Sequence, residues 1–338
     1  MPPPSNIWID LSALAALGGI VAYALLGGAD FGGGVWDLFA TGPRKREQRL
    51  AIQKAMGPVW EANHVWLIFV IVVLFTCFPR GYAAVGIALF LPFHLALLGI
   101  MLRGASFVFR SHQSRQEEAA AETSGWGAVF GVASTISPVL LGIAFGVVTQ
   151  GSVRLAAGDE IALAGRVAWF SPYAIANGLL ALATCAYLAA VYLTNETSGQ
   201  LQGDFRLRAI IAGTATAILA GLVILLARHQ ARWFYERLLS TRTVPVIALG
   251  LVCFAGSAWS VFTRRYALSR VLAAAEIFFL LWGWGLAQYP YLAYPDLPLA
   301  AVAAPLPTLR FVVLSLPIGA ALLVPSLWLL LRVFKGVV

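Results

Sequence analysis

Residues 7–28 read IWIDLSALAALGGIVAYALLGG, an apolar run long enough for a helix to cross a bilayer core of about 30 Å. Eight further apolar runs follow, and they lack the alternation of polar and apolar residues that β-barrel strands show. The sequence therefore predicts an all-α integral membrane protein of nine transmembrane helices in a single transmembrane domain, residues 1–338. The predicted spans are 7–28, 62–79, 82–103, 126–149, 170–193, 208–228, 243–262, 271–290 and 309–334.

The composition also indicates a membrane protein and excludes a water-soluble globule. Hydrophobic residues make up 60% of the chain and charged residues only 11%, whereas about a quarter of the residues in soluble domains are charged. With a mean hydropathy of +0.82, the chain has too little polar surface to cover itself in water. Lipid must therefore contact much of the surface, and in lipid a helix satisfies its own backbone hydrogen bonds.

The basic residues predict the orientation of the chain. A net charge of +8 would suggest nucleic-acid binding in a soluble protein, but here the basic residues lie between apolar runs, so no nucleic acid is expected. Fifteen of the 23 Lys and Arg residues follow odd-numbered spans, which places the N-terminus outside and the C-terminus in the cytoplasm. Segment 228–242 breaks this pattern with four arginines, and its interleaved aromatic residues predict an interfacial amphipathic helix.

An acid inside an apolar run is a candidate functional residue, because a charge within a bilayer costs several kcal/mol. Asp30 lies in the glycine-rich run GGADFGGG at 27–34, where the first span is expected to leave the membrane. Glycines allow an unwound turn or a close approach between helices. Two interpretations stay open, namely a functional acid and a glycine-rich helix contact in which Asp30 bonds to the backbone.

A second polar group stands at the start of the second span, in GPVWEANHVW at 57–66. Glu61, Asn63 and His64 bring an acid, an amide and an imidazole together at the cytoplasmic end of an apolar helix. A carboxylate there could carry protons into the membrane. The alternative is an ordinary interfacial helix start in which the helix dipole favours Glu61. The residues alone favour neither interpretation.

The remaining polar residues of the spans give weaker signals. His94 is either a haem ligand or a donor to a backbone carbonyl, and the second role is favoured because no partner stands four residues away. Glu276 is a candidate for a polar path inside a helix bundle. The three cysteines are far apart, and the four histidines lack metal-ligand spacing, so no metal site is expected. From the residues alone, two classes of protein remain possible: a proton-linked transporter and a subunit of an energy-converting complex.

Two blocks of the sequence resemble subunit II of the cytochrome bd-type ubiquinol oxidases, including the cyanide-insensitive branch. The first block joins GGADFGGG at 27–34 to GPVWEANHVWLI at 57–68. The family has a glycine-flanked Asp at the end of helix 1 and the pattern Trp-(Asp/Glu)-x-Asn-x-Val-Trp-Leu at the start of helix 2. The second block, GWGLAQYPYL at 283–292, resembles the end of the family's helix 8.

The resemblance implies the haem-free subunit of a respiratory quinol:oxygen oxidoreductase in the bacterial cytoplasmic (inner) membrane. It implies two four-helix bundles plus one peripheral helix, in a pseudo-symmetric heterodimer with a haem-bearing subunit I. Haems b and d are then expected on the partner subunit. A structural quinone is a candidate ligand of this chain, and quinol, membrane lipid and small single-helix accessory subunits are candidate partners.

The resemblance also implies a cytoplasmic proton path that feeds oxygen reduction in the partner subunit. Glu61 matches the motif acid of the family, and Asp30 matches the acid of helix 1. No catalytic residue or metal ligand is expected on this chain. The candidate proton-path residues are Glu61, Asp30, Asn63 and His64, and the supporting motif residues are Trp60, Trp66, Gly27, Gly28, Gly32, Arg103, Arg110, Gln288, Tyr289 and Pro290.

The chain departs from the family pattern after the third span. The family usually reads Arg-Gly-x-x-Phe-(Asp/Glu)-(Phe/Tyr)-Arg, whereas residues 103–110 read RGASFVFR, with Val108 in the acid position. The proton route must then do without that acid, and water, Glu117 or Glu118 are candidate substitutes. His64 also stands where some relatives have Gln.

Two rival functions stay open beside the oxidase. A proton-coupled transporter could use Asp30, Glu61 and Glu276, but transporters often show paired broken helices, and only one glycine-interrupted segment is present. The other rival is a structural or assembly membrane protein without chemistry of its own. If oxidase turnover is unchanged after mutation of Glu61, this structural or assembly role is favoured.

Overall fold

The computed structural model describes residues 6–56, 60–113, 125–155, 161–163 and 168–335, and nearly all of them are helical. Two short antiparallel hairpins, β1 Val153–Leu155 with β2 Ile161–Leu163 and β3 Tyr291–Ala293 with β4 Leu297–Pro298, and a 3₁₀ turn at Ala168–Phe170 lie between helices. The helices are α1 Ile7–Leu38, α2 Lys45–Met56, α3 Trp60–Cys77, α4 Pro79–Ala88, α5 Phe90–Gln113, α6 Gly125–Thr149, α7 Pro172–Glu196, α8 Gly199–Gln230, α9 Arg232–Leu238, α10 Val244–Phe262, α11 Tyr266–Gln288, α12 Leu299–Val302 and α13 Leu306–Lys335.

Eight helices of the described chain are long and apolar enough to cross a membrane, namely α1, α5, α6, α7, α8, α10, α11 and α13. The predicted all-α membrane class is confirmed. The counterpart of the second predicted span is α3, whose apolar part His64–Cys77 is shorter than the other eight helices. The count of nine spans and the division into two four-helix bundles plus a peripheral helix therefore stay predictions.

Helix α1 is longer than the predicted span 7–28. Asn6 caps its first turn by accepting a hydrogen bond from the backbone N–H of Trp8, 3.2 Å away, and the helix runs unbroken through the glycine run to Leu38. A side chain at Gly32 would clash with the backbone carbonyl of Cys185 on α7. The glycines therefore serve close packing of α1 against α7 rather than an unwound turn, because this packing offsets the low helix propensity of glycine.

The third predicted span, 82–103, differs from the structure, in which the chain bends at Leu89 between α4 and α5. Pro92 has no backbone N–H and cannot donate to the carbonyl of Ala88 four residues earlier. The indole N–H of Trp169 donates to that carbonyl instead, at 3.1 Å. Residues 82–88 therefore belong to the short helix α4, and the long helix α5 continues past the predicted end to Gln113.

Helix α1 organises the packing, because it contacts α3, α6, α7 and α11. A second set of contacts joins α7 to α8 and α10 to α11, around a buried core that includes Tyr187, Val191 and Ala273. Helix α13 contacts α1 and α3, and none of its most apolar window is buried within the chain. That window must meet lipid or another subunit, because water cannot solvate it favourably.

A polar clamp at one end of the molecule, made of Arg44, Gln48, Asp204 and Arg208, ties α2 to α8. Arg44 donates two hydrogen bonds to the Asp204 carboxylate, at 2.8 and 2.6 Å, in the bidentate geometry that makes such pairs strong. Gln48 donates to the same carboxylate and accepts from Arg208. These contacts hold the polar first turns of α8, which begins at Gly199 rather than at the predicted position 208.

Candidate functional site

A buried polar cluster lies where α1, α3, α5 and α6 meet, and Arg103 is at its centre. Only 1% of the Arg103 surface is exposed. Its Nε donates to the hydroxyl of Ser134 on α6 at 3.1 Å, and its Nη1 lies 2.9 Å from Nε2 of His64 on α3. Its Nη2 is buried without a hydrogen-bond partner in the described part of the chain.

Aromatic rings hold the Arg103 guanidinium in place. The guanidinium carbon lies 5.1 Å from the ring centre of Phe31 and 5.4 Å from that of Phe130, within the range of cation–π attraction. Phe31 also packs edge-on against the rings of Tyr23 and His64. These contacts keep the charge fixed without neutralising it.

Asp30 supplies a buried carboxylate within electrostatic range of this arginine. It is 4% exposed, and a negative charge on it stabilises the positive charge of Arg103. A buried ion needs an opposite charge nearby, because the interior solvates it poorly. The nearby Gly34 leaves room for Ser134, whose hydroxyl a side chain at position 34 would meet. The glycine run therefore brings the α1 acid, the α5 arginine and the α6 hydroxyl into one cluster.

The contact with Arg103 defines the hydrogen-bonding role of His64. A guanidinium can only donate, so Nε2 of His64 must accept this bond. The imidazole hydrogen is then on Nδ1. The contact therefore holds His64 in the Nδ1-protonated tautomer, in the first turns of α3.

The structure adds Arg103 to two residues that the sequence analysis had named as proton-path candidates. His64 contacts Arg103, and Asp30 is close enough to act on its charge. Arg103 itself was predicted only as a motif residue at the end of the third span. This underestimate followed from ending that span at position 103, whereas α5 continues for ten more residues and leaves Arg103 inside it.

Several predicted site residues lie outside what the structure describes. The backbone of Trp60, Glu61 and Asn63 belongs to α3 and that of Arg110 to α5, but their side chains are not described. Glu117 and Glu118 lie in the gap between residues 113 and 125. The roles predicted for these residues stay predictions.

The other motif residues of the first block have structural positions. Gly27 and Gly28 are buried on α1, one turn before the cluster. Trp66 packs edge-on against Phe69 of the same helix, with ring centres 6.0 Å apart. Val108, in the position of the family acid, is largely exposed on α5 and lies five residues beyond Arg103, which places it on a different face of the helix.

The second motif block borders a large apolar cavity of about 830 Å³ between α1, α3, α5, α6 and α11. Three polar atoms that line it are buried and have no hydrogen-bond partner in the described chain, namely the Tyr23 hydroxyl, the Trp284 indole nitrogen and the Gln288 carbonyl oxygen. The Tyr289 hydroxyl donates to Asp10 at 3.3 Å at the rim. The carbonyl of Pro290 accepts from Leu299, which holds the hairpin beside the cavity.

Glu276 lies in a separate buried cluster on α11. It is 1% exposed, and its Oε2 has no hydrogen-bond partner in the described residues. Tyr187 and Cys253 lie within electrostatic range of it. The Tyr187 hydroxyl forms its hydrogen bond with the hydroxyl of Ser257 instead, at 2.6 Å.

His94 has the backbone contact that the sequence analysis favoured. Its Nδ1 lies 2.7 Å from the carbonyl oxygen of Phe90, and the two rings pack at a tilt of 35° with centres 3.9 Å apart. Across the described ranges, no three His, Cys, Asp or Glu side chains come together in a way that could hold a metal ion.

Comparisons with known proteins agree with this architecture. The family described as cytochrome bd terminal oxidase subunit II matches residues 7–334. Cytochrome bd ubiquinol oxidase subunit 2 of Bacillus subtilis is 29% identical over 77% of this chain and 72% of its own length. Cytochrome bd-I ubiquinol oxidase subunit 2 of Escherichia coli is 28% identical over 61% of this chain and 54% of its own length.

The fold also matches a solved structure. A chain of the bd oxidase from Geobacillus thermodenitrificans superposes with a TM-score of 0.81 at 22% identity, over 97% of this chain and 99% of that one. At this identity the likeness shows the fold alone. Taken with the family match across 7–334, it leads to one conclusion: the chain belongs to the family of cytochrome bd terminal oxidase subunit II.

Proposed function

We propose that the chain is the haem-free subunit II of a respiratory quinol:oxygen oxidoreductase, and that it contributes a cytoplasmic proton path to oxygen reduction in a haem-bearing subunit I. The relatives from Bacillus subtilis and Escherichia coli are subunits of ubiquinol oxidases. The observation that carries the proposal is the buried cluster of Asp30, His64 and Arg103. Ionisable groups inside a membrane are costly, and they commonly mark proton or substrate paths.

The path begins at the start of α3. Glu61 precedes His64 by three residues, and this spacing places two residues on the same face of a helix. A proton taken up by Glu61 could pass through water to Asp30, while Arg103 supplies the positive charge that a buried carboxylate needs. Water replaces the acid that the family has at position 108, because Val108 cannot carry a proton.

The basic residues support a cytoplasmic position for this entrance. The positive-inside rule puts α2 and the clamp residue Arg44 in the cytoplasm, and α2 leads directly to α3. The N-terminus is then outside and the C-terminus inside the cell membrane. The exposed apolar face of α13 offers area for subunit I, an accessory helix or lipid.

The test is the variant Glu61→Gln in the intact oxidase. We expect oxygen consumption to fall by at least about tenfold, because the amide cannot exchange the proton. The reduced-minus-oxidised haem spectrum should stay normal, because no haem ligand is changed. The matched control is Glu47→Gln on α2, an exposed acid outside the path. Normal turnover of Glu61→Gln at every pH would contradict the proton path.

The large cavity supports a second part of the proposal, a bound structural quinone. Its walls are almost wholly apolar and suit an isoprenoid tail. Tyr23, Trp284 and Gln288 offer polar atoms that have no hydrogen-bond partner among the described residues. Buried polar atoms without partners are rare in folded proteins. The indole N–H of Trp284 and the hydroxyl of Tyr23 can each donate to a quinone carbonyl oxygen.

The quinone content of the purified oxidase tests this assignment. Trp284→Phe with Tyr23→Phe removes both donors, and we expect about a thirtyfold loss of affinity, since two bonds of about 1 kcal/mol each add to about 2 kcal/mol. The readout is the ratio of extracted quinone to haem, with Trp328→Phe on the exposed face of α13 as the control. An unchanged ratio in the double variant, or a wild-type complex without quinone, would contradict the site.

The structure offers no specific support for the transporter alternative. That function needs Asp30, Glu61 and Glu276 on one path. Glu276 instead lies in the separate cluster with Tyr187 and Cys253.

A further inference from the structure

The end of α8 and the following helix α9 carry a group of arginines that the proton path does not use. Arg228 lies 24 residues beyond the clamp residue Asp204 on the same helix, so about 36 Å separates them along the axis. The arginines therefore lie at the end of the molecule opposite to the clamp. Basic residues at this end run against the charge bias that orients the rest of the chain.

Contacts within the chain account for some of these charges. Arg237 donates to the backbone carbonyl of Tyr289 at 2.6 Å and packs on the ring of Trp233. Arg232 pairs with Glu236 at 2.9 Å. Arg228 and His229 make no hydrogen bond or ion pair in the described part of the chain, and both are exposed. Arg228 therefore has no counter-charge among the residues that the structure describes.

These side chains surround a surface cleft of about 310 Å³, lined by Arg228, His229, Arg232, Tyr235 and Glu236. Two arginines against one glutamate leave the cleft with a net positive charge. Its volume is at the lower end of the range for small-ligand sites, about 300–1,000 Å³. The cleft thus suits a small anionic group that accepts hydrogen bonds.

An exposed apolar stripe leads along α8 to this cleft. Ile218 and Leu225 are 66% and 68% exposed, and Leu222 lies between them on the same face. Steps of three and four residues continue from Leu225 to Arg228 and His229, so this face of α8 changes from apolar to basic at its end. Arg232 follows at the start of α9 and lines the same cleft. A ligand lying along this face would contact apolar side chains of α8 over most of its length and basic side chains at the C-terminal end of the helix.

Aromatic residues place the cleft at the membrane surface. Trp233 stacks on Tyr294 with ring centres 4.3 Å apart and meets Tyr291 edge-on. Trp and Tyr are enriched at the level of lipid headgroups. The cleft is therefore at headgroup depth, whereas the apolar stripe is at the depth of the acyl chains.

We propose that the cleft at the end of α8 binds the phosphodiester headgroup of an anionic phospholipid, with the acyl chains along Ile218, Leu222 and Leu225. Arg228 and Arg232 hold the phosphate, and His229 and Tyr235 offer further hydrogen bonds at the rim. A zwitterionic lipid is bound more weakly, because its ammonium group meets the same arginines. In the proposed orientation, this lipid belongs to the outer leaflet.

Native mass spectrometry of the intact oxidase complex tests the site. Detergent-purified complex is incubated with phosphatidylglycerol or with phosphatidylcholine, and retained lipid is counted. We expect preferential retention of phosphatidylglycerol and about a fivefold weaker retention in Arg228→Gln, since each arginine near anionic lipid contributes about 1 kcal/mol, a factor of five. Arg242→Gln, which removes an exposed charge outside the cleft, is the matched control and should retain lipid as wild type does.

Three results would overturn the proposal. The first is equal retention of both lipids by the wild type, and the second is unchanged phosphatidylglycerol retention in Arg228→Gln with normal haem content. The third is displacement of the lipid by millimolar inorganic phosphate, which would identify a site for small anions instead. A reagent that modifies guanidinium groups tests one more outcome. If Arg228 is protected from this reagent in the lipid-free complex, another protein covers the cleft and the lipid proposal is wrong.

Discussion

Asp30 and Glu276 are both buried acids on membrane helices, yet their surroundings are opposite. Asp30 acts electrostatically on the buried guanidinium of Arg103, which is itself held by His64 and Ser134. Glu276 has no cation in contact among the described residues, and one of its oxygens has no hydrogen-bond partner. The first acid belongs to a charged network across four helices, whereas the second is an isolated carboxyl in a packed core.

This difference shows that an acid within an apolar span does not by itself mark a proton path. Removing one partner of a buried charged pair leaves the other uncompensated, at a cost of about 3–5 kcal/mol. Removing an isolated carboxyl leaves no charge behind. The two acids should therefore respond very differently to the loss of charge.

The largest effect is expected from Arg103→Leu. It leaves the Asp30 carboxyl without its cation and removes the hydrogen bonds to His64 and Ser134. We expect a loss of about 3–5 kcal/mol in the stability of the complex, measured as faster thermal inactivation of the purified oxidase. A wild-type inactivation rate would show that the cluster does not stabilise the fold.

The double variant Arg103→Leu with Asp30→Asn sharpens this result. Because both charges are removed together, it should be more stable than Arg103→Leu alone, and coupling energies of contacting pairs are about 0.5–3 kcal/mol. Strictly additive losses would mean that the two charges do not act on each other.

A smaller effect is expected from Glu276→Gln. The amide is nearly the same size, and no cation loses its partner. We expect the loss of stability to be clearly smaller than in Arg103→Leu, because no opposite charge is left uncompensated. Oxygen consumption should stay normal, and a clear fall in turnover with intact haem would place Glu276 on the proton path after all.

The clamp offers a charged pair at the surface for comparison. Asp204→Ala removes the bidentate partner of Arg44 at the start of α8. Because this pair is partly exposed, we expect a loss of about 1 kcal/mol or less, measured by thermal inactivation at low and high salt. The loss should shrink at high salt. An effect as large as that of Arg103→Leu would contradict the distinction between buried and exposed pairs.

No effect on haem is expected from His94→Ala. The imidazole contacts the carbonyl of Phe90 in its own helix, so its loss removes no metal ligand. The haem spectrum of the intact oxidase is the measurement. Loss of a haem band would show that His94 reaches a haem.

The membrane class could be predicted from the sequence, because long apolar runs and a low content of charged residues are visible in the composition alone. It also identified Asp30 and His64 as candidates, because polar residues stand out in apolar helices. It did not place Arg103 among them, because the bend at Leu89 depends on Pro92 together with the distant Trp169, whose indole takes the carbonyl that Pro92 cannot satisfy. Without that bend, the third span appeared to end at Arg103.

The length of α1 was underestimated for a similar reason. The run around Asp30 has five glycines, which disfavour a helix locally. Close contact with α7, where Gly32 meets the backbone at Cys185, stabilises the helix there. Such contacts join residues more than a hundred positions apart, and one sequence alone does not reveal them.

Oxygen consumption and proton uptake by the Asp30→Asn oxidase in liposomes test the central claim most directly. Ser134→Ala is the control, because it disturbs the same cluster without removing a proton carrier. The proton path predicts that Asp30→Asn slows both rates, expressed per intact haem, by at least about tenfold, while the Ser134→Ala rates stay near wild type. Counting only intact haem separates this effect from the loss of stability that an uncompensated Arg103 causes. Normal turnover and proton uptake in Asp30→Asn would contradict the proton path.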